Sequence, residues 1–567
     1  MQTRNKGWGD PLILAPVVMI IVLTGPLLAG LAGVVLPAIG YFPSLGGNQI
    51  TTEFMREVTL KPGFWHSVHL SIWIGLATTF ISLALVTSFF ASSRGTTLFN
   101  RITRFVSPLM SVPHAAAAFG FAFLIAPSGW LVRLVSPWAT GFDHPPDWLI
   151  INDPMGQALL FGLVLKEIPF LFLVALSVSS QINVDERLQV ARSLGYGRVW
   201  AWFTVVFPAL YKQMRLPVYA VIAYATSVVD VSLILGPNFP AMLPVQLLRW
   251  MNDPELEMRF VAAAGAVWQL GATLFAILVW RLGEELVAYM GRRATINGHR
   301  HQNDRWFRFS ANTLITGVVI ISLLSFVILA IWSLAGFWRF PDALPVQFTS
   351  KKWIASAGAL WVPVINAMLI AATATSISLF LTIACLENEY RRDIEFTPAA
   401  LRILYLPLIV PQIAFLFGIS VLLVRIGWDG SFWPVALAHS IFVLPYVFLS
   451  LAAPFRSFDR RYLRVATSLG QSQNRALLAV RLPMLLKPIL LATALGMAIS
   501  IAQYLPTLLI GAGRVPTITT EAVALAAGGD RRLIGVYALV QTLLPAIGFL
   551  AAVMIPRLTY PNRKFFR

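Results

Sequence analysis

The chain has 567 residues, of which 57% are hydrophobic and only 12% charged, with a formal net charge of +18. A soluble domain carries roughly twice that share of charge, so there is too little polar surface to cover a soluble globule of this size. The one cysteine, Cys385, excludes an internal disulfide framework and a cysteine metal cluster. In a membrane chain the surplus of Lys and Arg belongs to cytoplasmic loops rather than to nucleic acid.

Apolar runs of about 20 residues, enough to cross a bilayer, recur from end to end. Candidate spans are 11–40, 64–91, 105–127, 156–180, 213–237 and 261–285, then 312–336, 362–385, 401–425, 434–453, 489–512 and 533–556. The first follows Arg4 and Lys6 and is too long for the apolar core of a cleavable signal peptide, so it reads as a permanent span. The expectation is an all-α polytopic membrane protein with about 12 transmembrane helices. Both termini then share one side. With that side in the cytoplasm, the inner loops hold more than twice the Lys and Arg of the outer loops, the usual bias. The reverse orientation would place Arg187, Arg192 and Arg198, and Arg456, Arg460, Arg461 and Arg464, outside.

Between spans six and seven the chain turns polar and basic. Residues 1–290 form a first half, 291–311 a cytoplasmic linker and 312–567 a second half. An even number of spans per half makes the two halves parallel rather than inverted repeats. The repeat is visible in two polar loops, QVARSLGYGRVWAWFTVVFP at 189–208 and RVATSLGQSQNRALLAVRLP at 464–483, which keep register at an offset of 275 residues. LILG at 233–236 matches LLIG at 508–511, while Val112, Pro113, Phe119 and Gly120 match Val410, Pro411, Phe417 and Gly418 at an offset of 298. The first half therefore carries roughly 23 extra residues in its outer loop 128–155, a place that tolerates insertion. Among the outer-loop tryptophans, Trp130, Trp138, Trp148, Trp250, Trp353 and Trp433, most read as interfacial belt residues. The extra loop is the candidate surface for an external partner.

Each repeated loop begins as an amphipathic helix. Leu188, Ala191 and Leu194, and Tyr462, Ala466 and Leu469, fall at helical spacing. Asp185 and Asp459 stand near the helix starts, where a carboxylate suits the positive end. Gly195 and Gly470 permit a reversal that a β-carbon opposes, and a second short helix runs on to Pro208 or Pro483.

Within the spans, Lys166, Glu167 and Asp230 are costly at membrane depth and are candidates for a translocation path or a buried ion pair, Lys166 with Asp230 or Glu167. Gln503, Tyr504 and Thr507 supply polarity from the other half, and His114 and Gln412 follow the paired prolines, where kinks would open a cavity.

The two loops resemble the EAA loop of the permeases of binding-protein-dependent ABC importers: Glu-Ala-Ala, three residues, Gly, nine residues, an aliphatic residue, one more, then Leu-Pro. Ala191, Gly195, Val205 and Pro208 match in the first copy, with Phe207 for Leu. Ala466, Gly470, Val480, Leu482 and Pro483 match in the second. The motif's Glu is Gln189 and Arg464 here, and its middle Ala is Val190 and Val465. The resemblance covers nearly the whole chain and implies two fused six-helix permease repeats. It further implies two copies of an ABC ATPase on loops 182–208 and 457–483, a periplasmic substrate-binding protein, and a bacterial inner membrane. Thiamine and ferric iron are the substrates it suggests. No Gly-x-x-x-x-Gly-Lys-Ser/Thr occurs, so ATP would be bound by the partner ATPase and no cofactor is expected in this chain, a transport subunit rather than an enzyme. The rival reading is an ion-coupled secondary transporter with six-plus-six spans, which needs coupling carboxylates in the bundle.

Overall fold

The computed structural model describes residues 11–296, 298, 300–394 and 397–559. Arg4, Lys6 and both termini lie outside the described residues. The protein is an all-α polytopic membrane protein. Among the described residues, the only paired strands are Tyr41–Phe42 and Gly47–Asn48. Among the described residues, nine helices are long and apolar enough to cross a membrane, or up to eleven when each of two sharply bent pairs counts as one span. The expected span at 213–237 is present as Phe207–Ser227 followed by Asp230–Leu235, but Lys212 and Arg215 make its opening turns polar.

Two of the expected spans are broken at their prolines rather than kinked. The first is divided into Thr97–Leu109 and His114–Ile125, with Pro113 as the cap of the second piece. Its counterpart is divided into Pro398–Ile409 and Gln412–Arg425, bent by 81° with Pro411 at the joint. Proline has no N–H to give the previous turn and biases the residue before it away from the helix, so both breaks follow from the sequence. Both flanking helices reach into the range 291–311. Helix Met258–Ile296 continues far beyond its apolar stretch, and Arg305–Leu334 starts early.

The halves are interlocked by their first helices. Pro11–Ala38, which opens the first half, packs against Gln412–Arg425 of the second. Arg305–Leu334, which opens the second half, packs against His114–Ile125 and Phe64–Ser93 of the first. The crossings use the paired glycines. A methyl group at Gly418 would overlap the carbonyl oxygen of Gly30, and one at Gly120 would overlap that of Ser325. Small residues that bring helix backbones together supply the packing that lipid cannot drive. The cores that result join helices of both halves, so neither half is a closed bundle by itself.

Candidate functional site

The two repeated loops have the same fold in detail. Helix Val184–Ser193 in the first and Arg460–Ser468 in the second each end at a glycine with positive φ, +86° at Gly195 and +82° at Gly470. Tyr196 N donates to Ala191 O and Gly195 N to Arg192 O, while Gln471 N donates to Ala466 O and Gly470 N to Thr467 O. These are paired six-to-one and five-to-two bonds that close a Schellman cap twice over. Short helices Arg198–Ala201 and Gln473–Ala476 follow, and each runs into a π-helical turn, Trp202–Val206 and Leu477–Arg481. Val205 and Val480 sit half-buried within those turns. Pro208 and Pro483 come just after them. Lacking an N–H for the carbonyl four residues back, proline leaves the helical ladder to widen at this point.

Ala191 and Ala466 are buried against the loop, as expected. Leu194 and Leu469, which fall at helical spacing with those alanines, point outward at 57% and 76% exposure, beside Val190 and Val465 at 63% and 60%. Both leucines stand at the helix C-cap, where the chain leaves the helical course. Each loop thus shows solvent an apolar pair at matching positions.

The loops are anchored differently. Arg198 donates from Nε to Ala91 O at 3.1 Å and from Nη2 to Arg94 O at 2.5 Å, fixing the first loop to the end of helix Phe64–Ser93. Burial, then Arg308 and Arg192, push its guanidinium below the ordinary range, and Asp304 opposes the shift. In the second loop, Arg481 is 2% exposed, bridges Glu387 Oε2 at 3.0 Å, donates to Phe455 O at 2.8 Å and lies 3.7 Å over the Phe455 ring. The first-half residue at that place is Val206, also buried.

Between the halves lies a cavity of about 180 Å³. His114, Lys166, Glu167, Tyr224 and Asp230 line it from the first half, and Gln412, Tyr446, Gln503 and Tyr504 from the second. The expected pairing of Lys166 with Asp230 does not form among the described residues. Lys166 Nζ instead donates to the carbonyls of Val112 at 2.5 Å, Met110 at 3.3 Å and Leu109 at 3.4 Å. The break before Pro113 frees those carbonyls, and an ammonium with three donors satisfies them. Glu167 Oε1 lies 3.7 Å from His114 Nε2, and Asp230 opens helix Asp230–Leu235. Thr507 is not at the cavity wall. It bonds to His439 Nε2 at 2.9 Å, and His439 Nδ1 meets Ser500 Oγ at 2.8 Å, in a buried triad. His439, Tyr224 and Tyr446 were passed over in the sequence because one polar group in an apolar helix carries no register signal without its neighbour.

The extra loop 128–155 is fastened to the second half. Buried Arg133 donates to Arg339 O at 2.8 Å and lies 4.8 Å over the Trp338 ring. Trp138 and Trp148 of this loop are exposed, while Trp250 is buried.

No family model matches the chain. It is 29% identical over 454 residues to the inner membrane ABC transporter permease protein YnjC of Escherichia coli (strain K12), covering 79% of this chain and 80% of that one. It is 24% identical over 515 residues to the probable ABC transporter permease protein y4fN of Sinorhizobium fredii (strain NBRC 101917 / NGR234), covering 88% and 86%. A shorter match, 30% over 112 residues, covers 20% of this chain and 44% of the spermidine/putrescine transport system permease protein PotC of Haemophilus influenzae (strain ATCC 51907 / DSM 11121 / KW20 / Rd). Over most of its length the chain is similar to ABC transporter permeases, and its membrane bundle of apolar helices is consistent with that likeness.

Proposed function

We propose that this chain is the transmembrane subunit of an ABC importer in a bacterial inner membrane. A small solute delivered by a periplasmic binding protein passes between the halves, driven by two separate ATPase subunits seated on loops 182–208 and 457–483. The observation that carries this reading is the duplicated lever, in which one Schellman cap, one π turn and one exposed apolar pair recur in register. A helix that merely lies on lipid needs an apolar face, not a second copy with the same hydrogen bonds. Both levers then face the cytoplasm, as do both termini, and ATP is bound by the partners.

The cavity favours a cationic solute. Two carboxylates, Glu167 beside His114 and Asp230, face the space with Tyr224, Tyr446 and Tyr504, against the one ammonium of Lys166, which is turned to backbone carbonyls. Carboxylates attract a cation, and tyrosine faces add cation–π attraction. Thiamine and ferric iron are both cations, and so are the polyamines in the name of the relative PotC. An ion-coupled carrier would use the same two carboxylates without an ATPase, which makes the levers the point of discrimination.

The test is site-directed crosslinking in a Cys385→Ser background. Val190→Cys and Val465→Cys should each crosslink to an ABC ATPase subunit that co-purifies with this chain, and the crosslink should change with bound ATP. Crosslinking of neither, together with uptake that follows an ion gradient and ignores ATP, would support the secondary carrier instead.

A further inference from the structure

The two levers differ in one respect that the repeat does not predict. Gly197 and Ser472 occupy the same place, the N-cap of the second short helix. In the second loop Ser472 caps its own helix, its Oγ accepting from Arg475 N at 3.3 Å. Gly197 has no side chain to do so. The missing acceptor arrives from the segment that joins the halves: Asp304 Oδ2 accepts from Val199 N at 3.2 Å. The same segment makes further contacts. Gly197 N donates to Arg300 O at 2.9 Å, Gln302 Nε2 donates to Gly195 O at 3.2 Å, and the His301 ring lies 4.6 Å from that of Trp200.

Gly197 is also what admits this segment, since a methyl group there would overlap the carbonyl oxygen of His301. A β-carbon at Gly195 would lie 2.9 Å from Arg300 Nη1, whereas one at Gly470 would meet nothing within 4 Å. The first lever is therefore clasped by the linker at its turn and second helix, while the second is held from its side by the end of helix Lys351–Arg392, through Arg391 to Asn474 at 2.8 Å and Arg460 to Asp393 at 3.2 Å, with its turn at Gly470 left open.

We propose that residues 300–304 are a built-in part of the first ATPase seat, so that the two copies of the ATPase dock with unequal affinity, the clasped lever first. This rests on the reading of the loops as ATPase seats. A lever already held in its docking conformation has less freedom to lose on binding. The segment also continues the surface around exposed Leu194 with exposed Arg300 and His301, whereas among the described residues a β-carbon at Gly470 meets no such group within 4 Å.

The experiment titrates the co-purifying ABC ATPase, isolated, onto the full chain in lipid nanodiscs and counts docking steps. The wild-type chain should show two steps. Asp304→Ala should weaken the tighter step by about tenfold, as loss of a helix cap does, and leave the weaker one unchanged. Asp304→Asn keeps an acceptor and should retain the tighter step. Leu194→Asp should remove the step that Asp304→Ala weakens, and Leu469→Asp the other. Hydrogen exchange on the wild-type chain alone gives a second reading: the amides of Gly197 and Val199 should exchange more slowly than those of Ser472 and Asn474. Two equal docking steps untouched by Asp304→Ala, or equal exchange in the two loops, would overturn this inference and leave the functional reading standing. A wild-type chain that docks no ATPase would overturn both.

Discussion

Replacing Gly470 isolates what the lever geometry contributes. Its φ is +82°, and a β-carbon there would meet no atom within 4 Å, so nothing but backbone conformation opposes a side chain. A non-glycine residue held in the left-handed region costs about 1–2 kcal/mol. That is too little to unfold a bundle of this size, yet a tenfold change in a local equilibrium needs only about 1.4 kcal/mol. Gly470→Val should therefore insert and purify normally while the cap opens in a large share of molecules. Leu469 and Val465 then lose their fixed position. Asn tolerates the left-handed region better than other side chains, so Gly470→Asn should recover most of the loss. The assay is uptake into proteoliposomes beside ATPase docking, for Gly, Asn, Ala and Val at this position. Activity should fall in that order, and Gly195→Val with Gly470→Val should be inactive. Wild-type uptake by the double variant, or Asn no better than Val, would refute the reasoning.

Three further outcomes follow from the packing. Lys166→Met takes the ammonium donor from the carbonyls of Met110 and Val112, at about 1–3 kcal/mol for an unsatisfied group, and thermal stability in detergent should fall. Adding Asp230→Asn should not restore it, because the two are not partners. Arg481→Val removes one of two arginine partners of buried Glu387, Arg391 at 2.8 Å remaining, and should lower the melting temperature, while Arg481→Val with Arg391→Leu strands the carboxylate and should cost about 3–5 kcal/mol. Gly120→Leu and Gly418→Leu should each lower the yield of folded protein, since overpacking of a tight crossing costs about 1–3 kcal/mol at the least; equal yields would show that the crossings are not close.

The sequence made the architecture legible because lipid imposes a strong rule: long apolar runs, punctuated by basic loops. The repeat in register located Gly195 and Gly470, and both have the positive φ that a reversal needs. It also paired Gly120 with Gly418, although not with the reason, which is the crossing of each half's first helix over the other half. What the pattern could not carry were contacts between distant segments. Lys166 is aimed at carbonyls that exist only because the neighbouring helix breaks, and Thr507 faces His439 across a helix pair. Helical periodicity grouped Leu194 and Leu469 with Ala191 and Ala466, but the leucines stand at the C-cap where the chain turns, and they are exposed while the alanines are buried. Gly197 in place of Ser472 was visible as a mismatch in the repeat, but only the linker's position gives it meaning.

The most direct test of the central claim, that this chain carries two ATPase seats and no engine of its own, is native mass spectrometry of the complex released from its membrane, beside ATP turnover by the chain alone. The account predicts one copy of this chain with two copies of one ATPase, and no turnover until they are joined. A stable complex with a single ATPase, or ATP hydrolysis by the isolated chain, would contradict it.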